Sequence, residues 1–357
     1  MGSHTPTTMK AALCKEFGQP IVIEEVPVPV PTGRELLVRV QAASLCHSDL
    51  TITSGALGSL PRPFIIGHEA VSIVEALGPD ATGYGIKIGD SIGAPLWHGM
   101  CLECLDCKEH GPDFCPKKLT KGVSAPGYFS EYTLVDAACA VVLPAGDAAS
   151  TAALSPLFCA GITVWDALER AKLQSGDTVA IIGAGGLGGL AARYAQAMGG
   201  KVIVLDVLDD QLHNLKGKGV ADEILNTRSV APEEVPAVVA ALNKGRLVDV
   251  AIVTSGALPA YQTGLSIIRT QGRLIAVGIP HQELALQLAV FTGRCISLIG
   301  AKVPGQRSAQ KCVDFSVRKG IMPEIHPRKF KLEDINEMMQ LMEQGQVQEG
   351  RMVVQFF

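Results

Sequence analysis

Three groups of residues have types and spacings suited to chemistry. The first is Cys101, Cys104, Cys107 and Cys115, a C-x2-C-x2-C-x7-C run. Four thiolates on one loop close a tetrahedral zinc shell with no open position, so such a site is structural. An iron–sulfur cluster also uses four cysteines, but it ranks below zinc because the chain already supplies a two-electron carrier, as follows. The second group is scattered: Cys46-His47-Ser48-Asp49, then Gly67-His68-Glu69, then Cys159. Two thiolates and one imidazole leave the fourth zinc position open, as a catalytic zinc requires. Asp49 is a carboxylate able to orient a ligand histidine. The third group is Gly183-Ala184-Gly185-Gly186-Leu187-Gly188, in the spacing G-x-G-x-x-G. Gly183 permits a tight turn, Gly185 lets backbone approach a diphosphate, and Gly188 lets a helix pack closely on a strand. Asp206 follows Gly188 by 18 residues. Its carboxylate can accept the adenosine ribose hydroxyls and would repel a 2′-phosphate. No arginine stands among Val207, Leu208, Asp209 and Asp210, so the expected cofactor is NAD(H) and not NADP(H).

The elements that must position these residues follow from hydrophobic patterning. Thr178 to Ile182 is β-branched and apolar, as a strand buried on both faces should be. Leu187, Leu190, Ala191, Tyr194, Ala195 and Met198 recur at helical spacing, and Lys201 to Asp206 reads as a second strand. The glycines therefore lie in a strand–turn–helix–strand context, with the helix start available to an anion. Residues 9–45 read as strands broken at Pro27, Pro29 and Pro31, with Glu35 to Val40 resuming. Short strands and glycine turns run on from Ile65 to Ile92. From about Gly161 to Gly300 strands alternate with helices, and 301–357 returns to mixed elements ending in the strand-like Arg351 to Val354. The expected layout is α/β: a β-rich catalytic domain with an inserted doubly wound parallel sheet. Its boundaries are 1–160 with a four-cysteine lobe at about 98–118, 161–300, and 301–357.

Composition bounds the function. The chain has 357 residues, enough for two cores, with 47% hydrophobic and 18% charged residues. A net charge of −4 gives no polyanion-binding footprint, so nucleic acid is not an expected partner. No apolar run reaches membrane-spanning length and no hydrophobic signal core stands at the N-terminus, so a cytoplasmic protein is expected. Met1 to Thr8 reads as a disordered leader. Six of the ten cysteines fall in the two metal sets, and Cys14, Cys139, Cys295 and Cys312 read as inert core residues.

The motifs fall in one order that resembles the zinc-dependent medium-chain alcohol dehydrogenases, most closely the shorter, usually tetrameric microbial branch. The resemblance runs from about Met9 to Phe357. It rests on Cys46-His47-Ser48-Asp49, Gly67-His68-Glu69, the four-cysteine lobe, Cys159-Ala160-Gly161-Ile162-Thr163-Val164, the glycine fingerprint and Gly350-Arg351. It implies a GroES-like catalytic domain with a Rossmann insertion, and two zinc ions per chain. Cys46, His68 and Cys159 would hold the catalytic ion, with Glu69 as a transient ligand. Asp49 would orient His68, Ser48 would take the alcohol proton, and His47 and Arg351 would contact the NAD diphosphate. Thr163, Val277 and Ile279 would line the nicotinamide, and a homotetramer or homodimer would form.

Three departures from the family pattern matter. Thr51 stands where a relay histidine is common. Gln211 stands where many members have a lysine that reaches the adenosine ribose. Thr53, Leu57 and Leu96 match positions at which the small-alcohol enzymes carry tryptophans. With Trp97 adjacent to the last of these, the expected pocket admits an alcohol, aldehyde or ketone bulkier than ethanol. Two other readings stand beside this one: a zinc-free quinone or enoyl reductase on the same fold, and a catalytically silent NAD-binding protein. The first has no need of Cys46, His68 and Cys159; the second has no need of Ser48 and Asp49 beside them. Natural substrate, direction and stereospecificity are not encoded in these motifs.

Overall fold

The computed structural model describes residues 5–58, 60–144, 152–347 and 350–356. Two compact units divide the chain, one of residues 1–159, 304–317 and 322–357, the other of 160–303 and 318–321. The sequence placed the later boundary at 300; residues 301–303 and 318–321 instead go with the second unit.

The first unit is built on antiparallel sheets. β1 (Thr8–Cys14), β2 (Val22–Pro27) and β4 (Phe64–Ile65) form one, in the order β2-β1-β4. The larger sheet contains β3 (Glu35–Ser44), β5 (Ala70–Leu77), β6 (Ser91–Gly93), β9 (Tyr132–Asp136) and β10 (Val141–Val142). β7 (Trp97–His98) and β8 (Leu119–Thr120) pair at the base of the four-cysteine loop. The expected leader shrinks: Thr8 already belongs to β1, and Thr7 accepts a hydrogen bond from Val28. Residues 1–4 lie outside the described residues.

The second unit is a six-stranded parallel sheet of β11 (Thr178–Ile182), β12 (Lys201–Asp206), β13 (Glu223–Asn226), β14 (Val248–Val253), β15 (Ile268–Ala276) and β16 (Ser297–Gly300). Its order is β13-β12-β11-β14-β15-β16, the doubly wound arrangement. β11 and β14 are buried at every position, which is why they lack the alternation of a half-exposed strand; the polar members, Thr178 and Asp249, are paired with each other. Each Val or Ile so buried contributes roughly 1.5–3 kcal/mol, enough for these strands to anchor the loops at their ends.

The chain then returns to the first unit, and β17 (Val353–Gln355) pairs with β3 through Val353 and Ser44. β5, β3 and β17 are therefore neighbours. The C-terminal end of β3 lies beside the N-terminal ends of β5 and β17, as Ala43–Ala70 and Ser44–Val353 pairing shows. That single sheet end carries the segments leading to Cys46, His68-Glu69 and Arg351.

Candidate active site

Each ligand of the open set is placed by its own element. Cys46 leaves β3 in extended conformation and caps the helix His47–Thr53. Its backbone N–H donates to Oδ2 of Asp49 at 3.0 Å, so the third helical residue reaches back to close the first turn. His68 precedes β5 on a turn made by Gly67, whose φ is +97°. A Cβ at Gly67 would stand 2.5 Å from the Phe129 ring, so only glycine lets the two segments approach. Cys159 follows a short 3-10 turn, Ser155–Phe158. Phe158 beds on Gly93 of β6, where a Cβ would come within 2.0 Å of its ring.

The result is one donor set. Sulfur and nitrogen ligand atoms of Cys46, His68 and Cys159 lie within 4.8 Å of one another, with the two sulfurs 3.9 Å apart. Zinc–sulfur bonds of about 2.3 Å at tetrahedral angles put sulfurs about 3.8 Å apart, so the residues fit that ion. Asp49 Oδ1 is 2.9 Å from Nδ1 of His68, leaving Nε2 as the ligand nitrogen. The hydrogen bond from the Cys159 thiol is the largest influence drawing Cys46 well below the usual thiol pKa, while that bond and burial push Cys159 up. Burial works against a charged His68, but Asp49 and Cys46 outweigh it and raise its pKa.

Glu69 and Arg351 lie behind this set. Glu69 is fully buried, and burial raises its carboxyl to about 8 even though the Arg351 charge opposes the shift. One carboxylate oxygen accepts from Arg351 Nη2, which also donates to the Leu45 carbonyl at 3.0 Å; the other, Oε2, has no hydrogen-bond partner among the described residues. Glu69 thus stands outside the three-ligand set, and Arg351 is engaged with protein groups. Ser48 and His47 are exposed, with Ser48 Oγ 3.7 Å from Cys46 Sγ. Thr51 turns its hydroxyl to the His47 carbonyl at 3.4 Å.

Cys101, Cys104, Cys107 and Cys115 also bring their sulfurs within 4.8 Å of one another. Cys101 lies 3.9 Å from Cys107 and 3.5 Å from Cys115, spacings that fit ligands and are far beyond a disulfide bond. Hydrogen bonds from the Glu103 and Cys104 backbone lower Cys101 to about 6, whereas burial raises Cys107 to about 12.

The expected pocket residues divide. Thr53 is buried and its hydroxyl donates to the Asp49 carbonyl at 2.8 Å. Leu57 is exposed and Leu96 half-buried. Trp97 packs against the core of the first unit, with Lys118 Nζ 4.9 Å over its ring. Of the four non-ligand cysteines, Cys14, Cys139 and Cys312 are buried. Cys295 is exposed, contrary to the expectation from its apolar segment: it ends the helix Leu288–Arg294 in a left-handed turn at φ 48°.

In the second unit the three glycines behave as their spacing predicts. Gly183 has φ +109°, a Cβ at Gly188 would lie 1.7 Å from the Gly183 carbonyl, and Gly185 faces open space. The helix Gly186–Ala197 begins there, with Leu187 in its first turn. Asp206 ends β12 and accepts from Ala184 N–H at 2.5 Å, besides Val207 and Leu208. Gln211 is half-buried, Thr163 is buried, Val277 donates its N–H to Val253, and Ile279 is 86% exposed.

Sequence spacing missed several supports. Thr254 directs its hydroxyl at the Ile182 and Gly183 carbonyls, 3.1 and 3.0 Å away. Gly93 seats Phe158, and Lys121 is an almost wholly buried amine. None of these has a local signal, because each partner is distant in the chain.

Comparison with known proteins agrees with this geometry. Residues 32–145 match the alcohol dehydrogenase GroES-like domain and residues 186–318 the zinc-binding dehydrogenase domain. An alcohol dehydrogenase of Rhizobium meliloti is 34% identical over 97% of this chain and 98% of its own length. One from Moraxella sp. is 33% identical over 98% and 99%. The crystal structure of the alcohol dehydrogenase from Aeropyrum pernix superposes with a TM-score of 0.86 at 28% identity, covering 97% of this chain and 99% of that one. Two assembled cysteine sets, a parallel nucleotide-binding sheet and near-complete alignment with such enzymes place the chain in the zinc-binding, GroES-like alcohol dehydrogenase family.

Proposed function

We propose that this alcohol dehydrogenase interconverts an alcohol with its aldehyde or ketone, using NAD(H) in preference to NADP(H) and one zinc ion in each cysteine set. The carrying observation is that Cys46, His68 and Cys159 converge while Asp49 occupies the nitrogen of His68 that they do not need. A zinc-free reductase gives no reason for that convergence.

Held by these residues, zinc would supply a Lewis acid and NAD(H) the capacity to accept or return a hydride. The chain's own residues do the rest. Asp49 keeps a proton on Nδ1 of His68 and so presents Nε2 as a neutral donor. Ser48 accepts the proton from the alcohol hydroxyl. Thr51 carries no titratable group, so it does not serve as the next base of the relay. Gly185 and the start of the helix Gly186–Ala197 take the cofactor diphosphate on free backbone N–H groups. Asp206 takes the adenosine ribose hydroxyls and disfavours a 2′-phosphate. Arg351 and His47 contact the diphosphate, and Thr163, Val277 and Ile279 line the nicotinamide. Small side chains at Thr53, Leu57 and Leu96 favour a substrate bulkier than ethanol.

A cytoplasmic homotetramer, or homodimer, completes the reading. Among the described residues no helix is long and apolar enough to cross a membrane. Zinc content per chain, together with NADH-dependent reduction of a graded panel of aldehydes and ketones, tests the proposal. Active protein with one zinc or none per chain would overturn the metal assignment.

A further inference from the structure

The order of the parallel strands determines which loops receive each half of a dinucleotide. Ligands of a doubly wound sheet lie outside the carboxyl ends of its strands, where the strand order reverses. The glycine turn follows β11, and Asp206 ends β12 on one side of it. With diphosphate at β11 and adenosine at β12, the nicotinamide half falls on the other side, at the segments following β14 and β15.

Those two segments are laid against each other with little clearance. Val277 and Gly278 both donate N–H to the Val253 carbonyl, at 3.1 and 2.9 Å. A Cβ on Gly278 would stand 2.2 Å from the Ser255 carbonyl oxygen, and one on Gly256 3.1 Å from that of Ile279. The helix Leu258–Ile267 carries Tyr261, which is buried and whose hydroxyl donates to the Gly278 carbonyl. Above this base the large apolar side chain of Ile279 is held out almost fully exposed.

We propose that Tyr261 is a positioning residue for the nicotinamide half of the cofactor, acting through its hydrogen bond to Gly278 to fix the loop that carries Val277 and Ile279. A buried phenol must find an acceptor, and this one finds the residue between those two side chains. Burial raises the Tyr261 pKa, so its hydroxyl stays a donor throughout the working pH range. Removing that bond frees the loop without touching the glycine turn or Asp206. A small displacement there degrades ring orientation, on which hydride transfer depends steeply.

The inference rests on the NAD(H) assignment above, and the test separates the two. Zinc-loaded full-length Tyr261→Phe is compared with the unaltered protein for binding of NADH and of ADP-ribose, which lacks the nicotinamide. Loss of one neutral hydrogen bond predicts an NADH Kd raised roughly three- to tenfold. ADP-ribose should change by less than about twofold, and kcat/KM for NADH should fall at least as far as NADH affinity. Unchanged NADH binding overturns the proposal, as does equal weakening of both ligands, which would mean general loosening of the sheet. If the unaltered protein binds neither ligand, the cofactor assignment fails, and the proposal with it.

Discussion

Oδ1 of Asp49 lies 2.9 Å from Nδ1 of His68, with both side chains buried, while Oδ2 of the same carboxylate takes the Cys46 N–H at 3.0 Å. One carboxylate therefore fixes two of the three ligands of the open set. It sets the ring orientation and tautomer of His68 and the backbone from which Cys46 projects. Asp49→Asn keeps the shape but removes the charge. Catalytic-zinc affinity should fall about 10–100-fold, with activity falling in parallel. Competition with a chromophoric chelator measures it, and unchanged affinity would rule out this role.

The two cysteine sets should lose metal in different order. The open set has three ligands, the closed set four, so a chelator should abolish activity before the protein unfolds. Cys104→Ser should instead lower thermal stability by several degrees or more, because structural zinc contributes folding free energy directly. Zinc analysis and thermal melts on the same samples check both. Simultaneous loss of activity and fold on chelation would count against two separate sites.

Asp206 should set cofactor preference. NADH should exceed NADPH by at least roughly tenfold in kcat/KM, about 1.4 kcal/mol. Asp206→Ser should narrow the gap. Because the carboxylate also takes the Ala184 N–H, the variant should bind NADH more weakly as well. Equal use of both cofactors by the unaltered protein would refute the assignment.

Pocket size should decide substrate ranking. A missing methylene contact is worth about 1–3 kcal/mol, so aromatic, branched or longer aldehydes should exceed acetaldehyde in kcat/KM. Leu57→Trp should move preference toward small substrates, since Leu57 is exposed and can be enlarged without displacing a core. Thr53 is buried and bonded to the Asp49 carbonyl. Thr53→Trp should therefore overpack and destabilise by about 1–3 kcal/mol or more, whatever it does to specificity. Acetaldehyde as the best substrate of the panel would remove these residues from the pocket.

Lys121 should make stability depend on pH. Its Nζ is 2.8 Å from Thr133 Oγ1, 2.9 Å from the Leu134 carbonyl and 4.9 Å from the Tyr128 ring centre, yet burial still lowers its pKa to about 7. An unfolded lysine titrates near 10.4. Between these values the unfolded chain holds a proton that the folded chain lacks, so this contribution to stability rises with pH. Below pH 7 both states are charged and the penalty is full. Relative to the unaltered protein, Lys121→Met should gain stability as pH falls from 9.5 to 6.5, by at most ~3 kcal/mol. Urea unfolding of the zinc-loaded proteins at the two pH values measures the change. A pH-independent difference would mean that the two oxygen acceptors and the ring keep Lys121 charged throughout.

Local chemistry made much of this protein legible in its sequence. The four-cysteine loop is legible because its ligands lie within 15 residues, so spacing alone brings them together. The glycine turn is legible because a tight turn, an open approach and a close helix contact each demand glycine at a fixed offset. The β-branched, mainly apolar run at β11 announces a strand of a parallel sheet because both of its faces are buried. Cys46, His68 and Cys159 had the right types, but their convergence depends on β3 and β5 lining up at one sheet end and on Phe158 bedding against Gly93. Neither the Glu69–Arg351 pairing nor the Tyr261 contact has any sequence signal, and Cys295 defied its apolar surroundings. Tertiary structure decided these because they depend on the approach of distant segments, where burial and a matched donor and acceptor, not chain spacing, determine which groups meet.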